Sequence, residues 1–74
     1  MKQMIYSAGE AVAKKMHMCN MIPEVNTRWH HELNGMLAIL DKMGMTYEIH
    51  YKTSTKFKAI EIMGYVFNVT GLGE

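Results

Sequence analysis

The stretch KAIEIMGYVFNVTG, residues 58–71, contains two strand-like runs that are separated only by the pair Met63-Gly64. A two-residue hairpin turn at this pair places Ile62 opposite Tyr65, and the next apolar residues along the two runs then coincide on the same face. A slip of one residue would scatter these apolar residues over both faces, so the register is strongly specified. The stretch therefore predicts the last hairpin of an antiparallel sheet.

The residues just upstream predict a third strand in the same sheet. In MTYEIHYK, residues 45–52, apolar and polar side chains alternate with a period of two, which is typical of a half-buried strand. The polar segment TSTK, residues 53–56, predicts a turn that leads into a strand beginning near Phe57. The three strands share one apolar face, made by Tyr47, Ile49, Ile60, Ile62, Tyr65, Phe67 and Val69.

The segment before the sheet carries the most regular helical pattern in the chain. Helical spacing relates six apolar residues: Trp29, Leu33, Met36, Leu37, Leu40 and Met43. Asn26 or Thr27 is expected to cap this helix at its N-terminus, and Gly44 is the expected stop. Gly35 lies on the flank of the stripe, where we expect it to let a neighbouring helix approach closely.

A first helix is predicted upstream of Pro23, which disfavours helical backbone at the residue before it. Ser7 and Glu10 have the S-x-x-E spacing of a capping box, so the helix is expected to start at Ala8. Its apolar face is predicted to contain Ala8, Ala11, Val12, Met16 and Cys19. Residues 2–6, KQMIY, leave open a short additional edge strand.

These elements predict a fold of the α+β class. A three-stranded sheet with one apolar face is not stable alone in water, and the two amphipathic helices offer stripes of matching size. We therefore expect two layers, with two helices packed on a three-stranded antiparallel meander in the order ααβββ. A chain of 74 residues without a dividing linker is expected to form one domain, residues 1–74.

Composition narrows the classes of function. A hydrophobic fraction of 49% with 20% charged residues is typical of a soluble globular domain, and no apolar run approaches the roughly 20 residues that a membrane span requires. One cysteine and no apolar leader at the start predict a reduced, cytoplasmic location. With a net charge of +1, the chain is not attracted over long range to nucleic acid or to membrane surfaces. Nine methionines fit either core filling or an adaptable binding surface.

The histidines and the cysteine do not have metal-binding spacing. His17 and Cys19 are two residues apart, and His30 and His31 are adjacent, so neither pair shares one face of a helix. Helical metal pairs need a separation of three or four residues. We therefore expect no metal and no other cofactor.

The sequence also lacks a pattern typical of catalysis. A nucleophile needs a neighbouring base and an orienting group, but Cys19 is predicted to point inward and no serine lies in a G-x-S-x-G elbow. Glu48 and Glu61 are predicted to be neighbours across the exposed sheet face, where a flat surface offers no pocket. We expect the protein not to be an enzyme.

The first hairpin, residues 50–58, holds the only local concentration of positive charge. Its candidate binding residues are His50, Tyr51, Lys52, Lys56 and Lys58. Such a mixture of basic and aromatic side chains binds phosphate and stacks on bases. Lysines at this position also protect an edge strand and a turn against aggregation, which needs no ligand.

The function expected from the sequence is binding through protein–protein contacts. The surfaces considered are a sheet edge, through which a homo-oligomer could form, the basic hairpin, and the helix face around His31, Ala38 and Lys42. Small single-domain chains of this kind are often phage or mobile-element proteins that regulate or inhibit a host factor. The alternative is nucleic-acid binding through the hairpin 50–58, which a steep dependence of affinity on salt would reveal.

Overall fold

The computed structural model of the protein describes residues 2–22, 24 and 27–69, and in these ranges two helices precede three strands. The elements are α1 (Lys2–Asn20), α2 (Arg28–Lys42), β1 (Tyr47–Tyr51), β2 (Phe57–Ile62) and β3 (Tyr65–Asn68). The strands form an antiparallel sheet in the order β1-β2-β3, α1 lies against β2 and β3, and α2 packs on α1. The predicted ααβββ architecture is thereby confirmed.

The register of the last hairpin is the predicted one. Ile62 pairs with Tyr65 across the turn. Ile60 pairs with Phe67 two residues further on. The inward side chains of β2 and β3 therefore point to one face, and both isoleucines on that face are fully buried. The alternation of the sequence thus sets which surface of the sheet the helices cover.

The turn between β2 and β3 has left-handed backbone at both central residues. Met63 has a φ of 52° and Gly64 a φ of 87°, the combination found in a type I′ turn, whose twist matches that of the flanking strands. Glycine adopts this conformation without steric cost. The Met63 N–H donates to the Thr46 carbonyl at 3.0 Å, so the turn also continues the pairing of β2 with the chain entering β1.

One cluster of buried side chains joins the helices to the sheet. It consists of Ile5, Val12, Ala13, Met16, Cys19, Leu33, Leu37, Leu40, Met45, Ile60, Ile62 and Val69. Tyr47, Ile49, Tyr65 and Phe67 are partly buried and pack against this cluster. The predicted apolar face of the sheet is therefore the face that forms the core.

The predicted start of α1 is wrong. The helix begins at Lys2, so residues 2–6 are helical and do not form an edge strand, and Ser7 is an exposed residue within the helix. Ile5 is buried, with 6% of its surface exposed, and extends the buried stripe of α1 by one turn. Burying Ile5 in the core stabilises the longer helix by more than Ser7 would contribute as the N-cap of a shorter one.

The interpretation of Gly35 is also wrong. Gly35 is exposed, and no neighbouring atom lies within 4 Å of the position that a Cβ would take. The close approach occurs instead at Gly9 of α1, where the Phe67 ring of β3 occupies the space of a Cβ. The small residue thus lets α1 lie closely on β3, and Tyr6 contacts the same ring edge-on at 5.8 Å between centroids.

The ends of α2 follow the prediction. Thr27 is the N-cap with extended backbone, and its N–H donates to Nδ1 of His30 at 3.4 Å. Asn26, the other predicted cap, and Pro23 lie outside the described residues. The helix ends at Lys42, and Gly44 then adopts a φ of 78°, in the left-handed region that commonly terminates helices.

In the part of the chain that the structure describes, no helix has both the length and the apolar character needed to cross a membrane.

Candidate functional site

The tip of the hairpin 50–58 has a defined conformation. The Thr53 hydroxyl oxygen accepts hydrogen bonds from the backbone N–H groups of Thr55 and Lys56, at 3.3 and 3.1 Å. The Lys52 N–H donates to the Lys56 carbonyl at 2.9 Å and closes the loop. The side chains of this tip therefore project from a fixed backbone.

Asn20, the last residue of α1, joins the helix to this hairpin. Its side-chain Nδ2 donates to the Phe57 carbonyl, and its Oδ1 accepts from the Phe57 N–H, both at 2.8 Å. The Lys56 ammonium donates to the Asn20 carbonyl at 2.6 Å, where the helix dipole favours a positive charge. Lys56 therefore stabilises the contact between α1 and the hairpin, whereas the sequence analysis placed it among the candidate binding residues.

The other predicted binding residues do not converge on one site. Tyr51 is 58% exposed and contacts Phe57 at 5.6 Å between ring centroids, and Lys52 is exposed at the tip. Nε2 of His50 lies 3.6 Å from Oε1 of Glu61, which brings a carboxylate into the basic surface. His50 and Lys58 line a shallow depression on the outer sheet face, together with Ala59, Glu61, Val66 and Asn68.

We predict that Asn20→Ala lowers the unfolding free energy by about 1–2 kcal/mol, because two partly buried hydrogen bonds are lost. Asn34→Ala is the matched control, since Asn34 is exposed on α2, and we expect a change within about 0.5 kcal/mol. Urea denaturation followed by circular dichroism measures both. Equal stability of the two variants would contradict a structural role for Asn20.

A second surface of interest is a groove between α1 and α2 with an entirely apolar lining in the described residues. We call it the α1–α2 groove, and its residues are Ala8, Ala11, Val12, Met36, Ile39, Leu40 and Met43. Val12 and Leu40 are buried, whereas Ile39 and Met43 are 56% and 46% exposed. Water therefore contacts large apolar side chains along the walls of the groove.

The groove arises because α2 carries two adjacent apolar stripes. Leu33, Leu37 and Leu40 form the buried stripe. Met36, Ile39 and Met43 follow at positions i, i+3 and i+7 and form a second stripe beside it. The two stripes together span a wider arc than the helix turns toward the core. Met36 is therefore only partly buried against the core, and Ile39 and Met43 are left exposed.

Charged side chains are gathered one helical turn beyond one end of the groove. Lys15 Nζ donates to Glu32 Oε1 at 2.7 Å, and this hydrogen bond holds the pKa of Glu32 below its usual value. The Trp29 ring lies 4.9 Å from the Lys15 ammonium and 4.7 Å from the Arg28 guanidinium. The apolar character continues past the opposite end, where Met4, one turn before Ala8, is 49% exposed.

The sequence-based interpretation assigned the groove residues other than Ile39 to the buried faces of the two helices. Ala8 and Ala11 were predicted on the buried face of α1, but Ala11 is exposed and Ala8 is only partly buried. Met43 was predicted in the buried stripe of α2 and is exposed. The available signal was the width of the apolar arc on α2, which exceeds what one buried stripe requires.

Cys19 is a buried residue of the core. Burial is the main influence on its thiol and raises its pKa, which disfavours the reactive thiolate form. Among the described residues, no three His, Cys, Asp or Glu side chains lie close enough together to hold a metal ion.

Comparisons with protein-family models, with curated proteins and with solved structures gave no match to this chain. The exposed surfaces are therefore the basis on which a function can be proposed.

Proposed function

We propose that this protein is a non-enzymatic protein-binding domain whose contact surface is the α1–α2 groove. One observation supports this most strongly: among the described residues, only apolar side chains line the groove, and two large ones, Ile39 and Met43, are about half exposed. Covering such surface is favourable by about 25 cal/mol per Å² of apolar area removed from water. Contiguous apolar surface on a small protein commonly marks an interaction site.

The groove suits an apolar ridge on a helix of the partner. Grooves between helices are recognised by amphipathic helices, whose apolar residues enter at intervals of three or four positions. Met36 and Met43 supply flexible side chains that adapt to the shape of such a ridge. The charges of Lys15 and Glu32 lie at one end, so the partner would find an apolar centre with a charged border, as in typical interfaces.

The groove is a better candidate than the hairpin 50–58. Lys56 is already engaged by the Asn20 carbonyl, and His50 lies beside Glu61, so the positive charge available to a ligand is smaller than the sequence implied. A phosphate backbone would then be held mainly by Lys52 and Lys58, in a chain whose net charge is only +1.

A binding protein that catalyses no reaction acts by altering the activity of its partner, so we propose a regulatory or inhibitory role. We further propose that it acts in the cytoplasm, because the chain has a single cysteine and that cysteine is buried in the core.

The test compares two substitutions of equally exposed residues on different surfaces. Ile39 in the groove is 56% exposed and Val66 on the outer sheet face is 57% exposed, so Ile39→Glu and Val66→Glu introduce the same charge at equally exposed positions. We expect Ile39→Glu to weaken partner binding by about tenfold or more, because a buried unpaired carboxylate is costly. Val66→Glu should bind like the wild type.

The measurement is affinity capture from a lysate of the source cell, followed by titration of the purified partner against each variant. Equal binding by Ile39→Glu and the wild type would contradict the groove as the contact surface. Loss of binding in Lys52→Gln/Lys58→Gln, together with sensitivity to nuclease and salt, would favour nucleic-acid binding through the hairpin instead. Lys56 is left unchanged in that variant because its contact with Asn20 supports the fold.

A further inference from the structure

We propose that Met63 is an oxidation site, at which hydrogen peroxide converts the thioether to a sulfoxide whose oxygen strengthens the link between the β2–β3 turn and the start of β1. The site shares no residue with the α1–α2 groove. The reasons are the backbone conformation of Met63, the hydrogen bonds that its sulfur accepts, and the recess beside it.

Met63 has a backbone conformation that is costly for a residue with a side chain. Its φ of 52° lies in the left-handed region, and the first central position of a type I′ turn favours Asn, Asp or Gly. Residues hold such backbone only where surrounding contacts offset its cost. For Met63 those contacts include Thr46, the residue immediately before β1.

The Met63 sulfur accepts hydrogen bonds from both donors of Thr46. The Thr46 N–H donates to Sδ at 3.4 Å, and the Thr46 hydroxyl donates to the same atom at 3.6 Å. The Met63 N–H donates in return to the Thr46 carbonyl at 3.0 Å. Thioether sulfur is a weak acceptor, so two good donors share a partner that satisfies them poorly.

Oxidation replaces this weak acceptor with a strong one. A lone pair of Sδ attacks one oxygen of hydrogen peroxide, so that a sulfur–oxygen bond forms as the oxygen–oxygen bond breaks. The other oxygen takes up the proton of the transferred oxygen and leaves as water. The sulfur loses two electrons and the peroxide gains them. Methionine sulfoxide reductases reverse the change.

The new oxygen forms where the Thr46 donors already point. It is bonded to the sulfur along one of the lone pairs that these donors approach, so a small outward movement of the side chain brings it into hydrogen-bonding distance of Thr46. Met63 is 43% exposed, which leaves room for that movement. Oxidation therefore strengthens a contact that the fold already has.

A recess gives a small neutral oxidant access to the sulfur. Its volume of about 150 Å³ exceeds the roughly 30 Å³ that a water molecule occupies in the liquid, so hydrogen peroxide fits. The recess is lined by Thr46, Tyr47, Glu48, Glu61, Met63 and Gly64. The carboxylates of Glu48 and Glu61 repel anionic oxidants such as hypochlorite, whereas they do not repel a neutral peroxide.

The test combines oxidation of the folded protein with amide hydrogen exchange at Thr46. The wild type and Met63→Leu receive the same hydrogen peroxide treatment, peptide mass spectrometry locates the added oxygen, and NMR measures the exchange. In the wild type, exchange at the Thr46 N–H should slow by about three- to tenfold, the effect of one stronger hydrogen bond. In Met63→Leu, which has no sulfur at this position, the treatment should leave the exchange rate unchanged.

Met63→Gln tests the same geometry without an oxidant. The amide oxygen of glutamine takes the place of the sulfoxide oxygen and accepts hydrogen bonds from Thr46, whereas leucine accepts none. The Thr46 N–H should therefore exchange about three- to tenfold more slowly in Met63→Gln than in Met63→Leu. Circular dichroism checks that both variants are folded.

Addition of oxygen to Met63, with slower exchange at Thr46 in the wild type alone, supports the proposal. A Met63 that stays unoxidised while Met21, which is 71% exposed, is oxidised would overturn it. Oxidation of Met63 without slower exchange at Thr46 would overturn it as well. Equal exchange in Met63→Gln and Met63→Leu would mean that an oxygen at this position does not reach Thr46, which is the third contradicting result.

Discussion

Replacing Ile60 with alanine is expected to lower the unfolding free energy by about 2–5 kcal/mol. Ile60 lies in the central strand β2, has no exposed surface, and belongs to the cluster that joins the sheet to both helices. Alanine removes apolar contacts and leaves a cavity that surrounding side chains fill only partly. A domain of 74 residues has roughly 4–11 kcal/mol of stability, so the variant loses a large part of it.

Val66→Ala is the matched control for this prediction. Val66 lies in the adjacent strand β3 on the opposite face of the sheet and is 57% exposed, so we expect a change within about 0.5 kcal/mol. Thermal and urea denaturation of both variants provide the comparison. If the two variants unfold together, the inner face of the sheet is not the core.

Replacing Gly9 with leucine is expected to lower the unfolding free energy by about 1–3 kcal/mol, although leucine is the better helix former. The Phe67 ring occupies the place of the new Cβ, so either the ring must leave its contact with Tyr6 or α1 must move away from β3. Both movements loosen the packing of the helix on the sheet.

Gly35→Leu provides the control, because it makes the same substitution within a helix but away from any neighbour. No atom lies within 4 Å of a Cβ at Gly35, so the gain in helix propensity should stabilise the protein by roughly 0.5–1 kcal/mol. Urea denaturation midpoints should therefore move in opposite directions for the two variants. Midpoints that move in the same direction by similar amounts would mean that α1 does not approach β3 at Gly9.

The sheet could be predicted from the sequence because two local signals agree. Alternation assigns the inward residues of β2 and β3, and the pair Met63-Gly64 fixes the register between them. A shift by one residue would turn every apolar side chain to the wrong face, so few alternatives compete. The positive φ of Gly64 is the conformation that this turn requires.

Val12, Met16 and Cys19 lie on the buried face of α1 as predicted. The start of the helix and the orientation of its small residues could not be predicted, because they depend on tertiary contacts. Ser7 has the local preference of a cap, but burial of Ile5 against the core extends the helix past it. Gly9 and Ala13 are buried where the helix meets the sheet, and this rotates Ala11 into the solvent. Small residues carry little hydrophobic signal, so the sequence pattern does not reveal which of them face the sheet.

The candidate site was missed for a related reason. An apolar residue contributes equally to a sequence pattern whether it is buried or exposed, so Met43 was assigned to the core while it lies on the groove wall. The basic hairpin was visible as a run of lysines. The hydrogen bond from the Lys56 ammonium to the Asn20 carbonyl could not be predicted from the sequence, because the two residues are 36 positions apart in the chain.

The central claim is that the protein binds its partner through the α1–α2 groove, and its methionines allow a direct test. Met36 and Met43 line the groove, whereas Met21 and Met63 are exposed elsewhere. The measurement is a carbon-13 methyl NMR spectrum of the methionine-labelled protein, free and in its complex. We predict that the methyl resonances of Met36 and Met43 shift on binding while those of Met21 and Met63 do not. Shifts confined to Met21 and Met63 would contradict the claim.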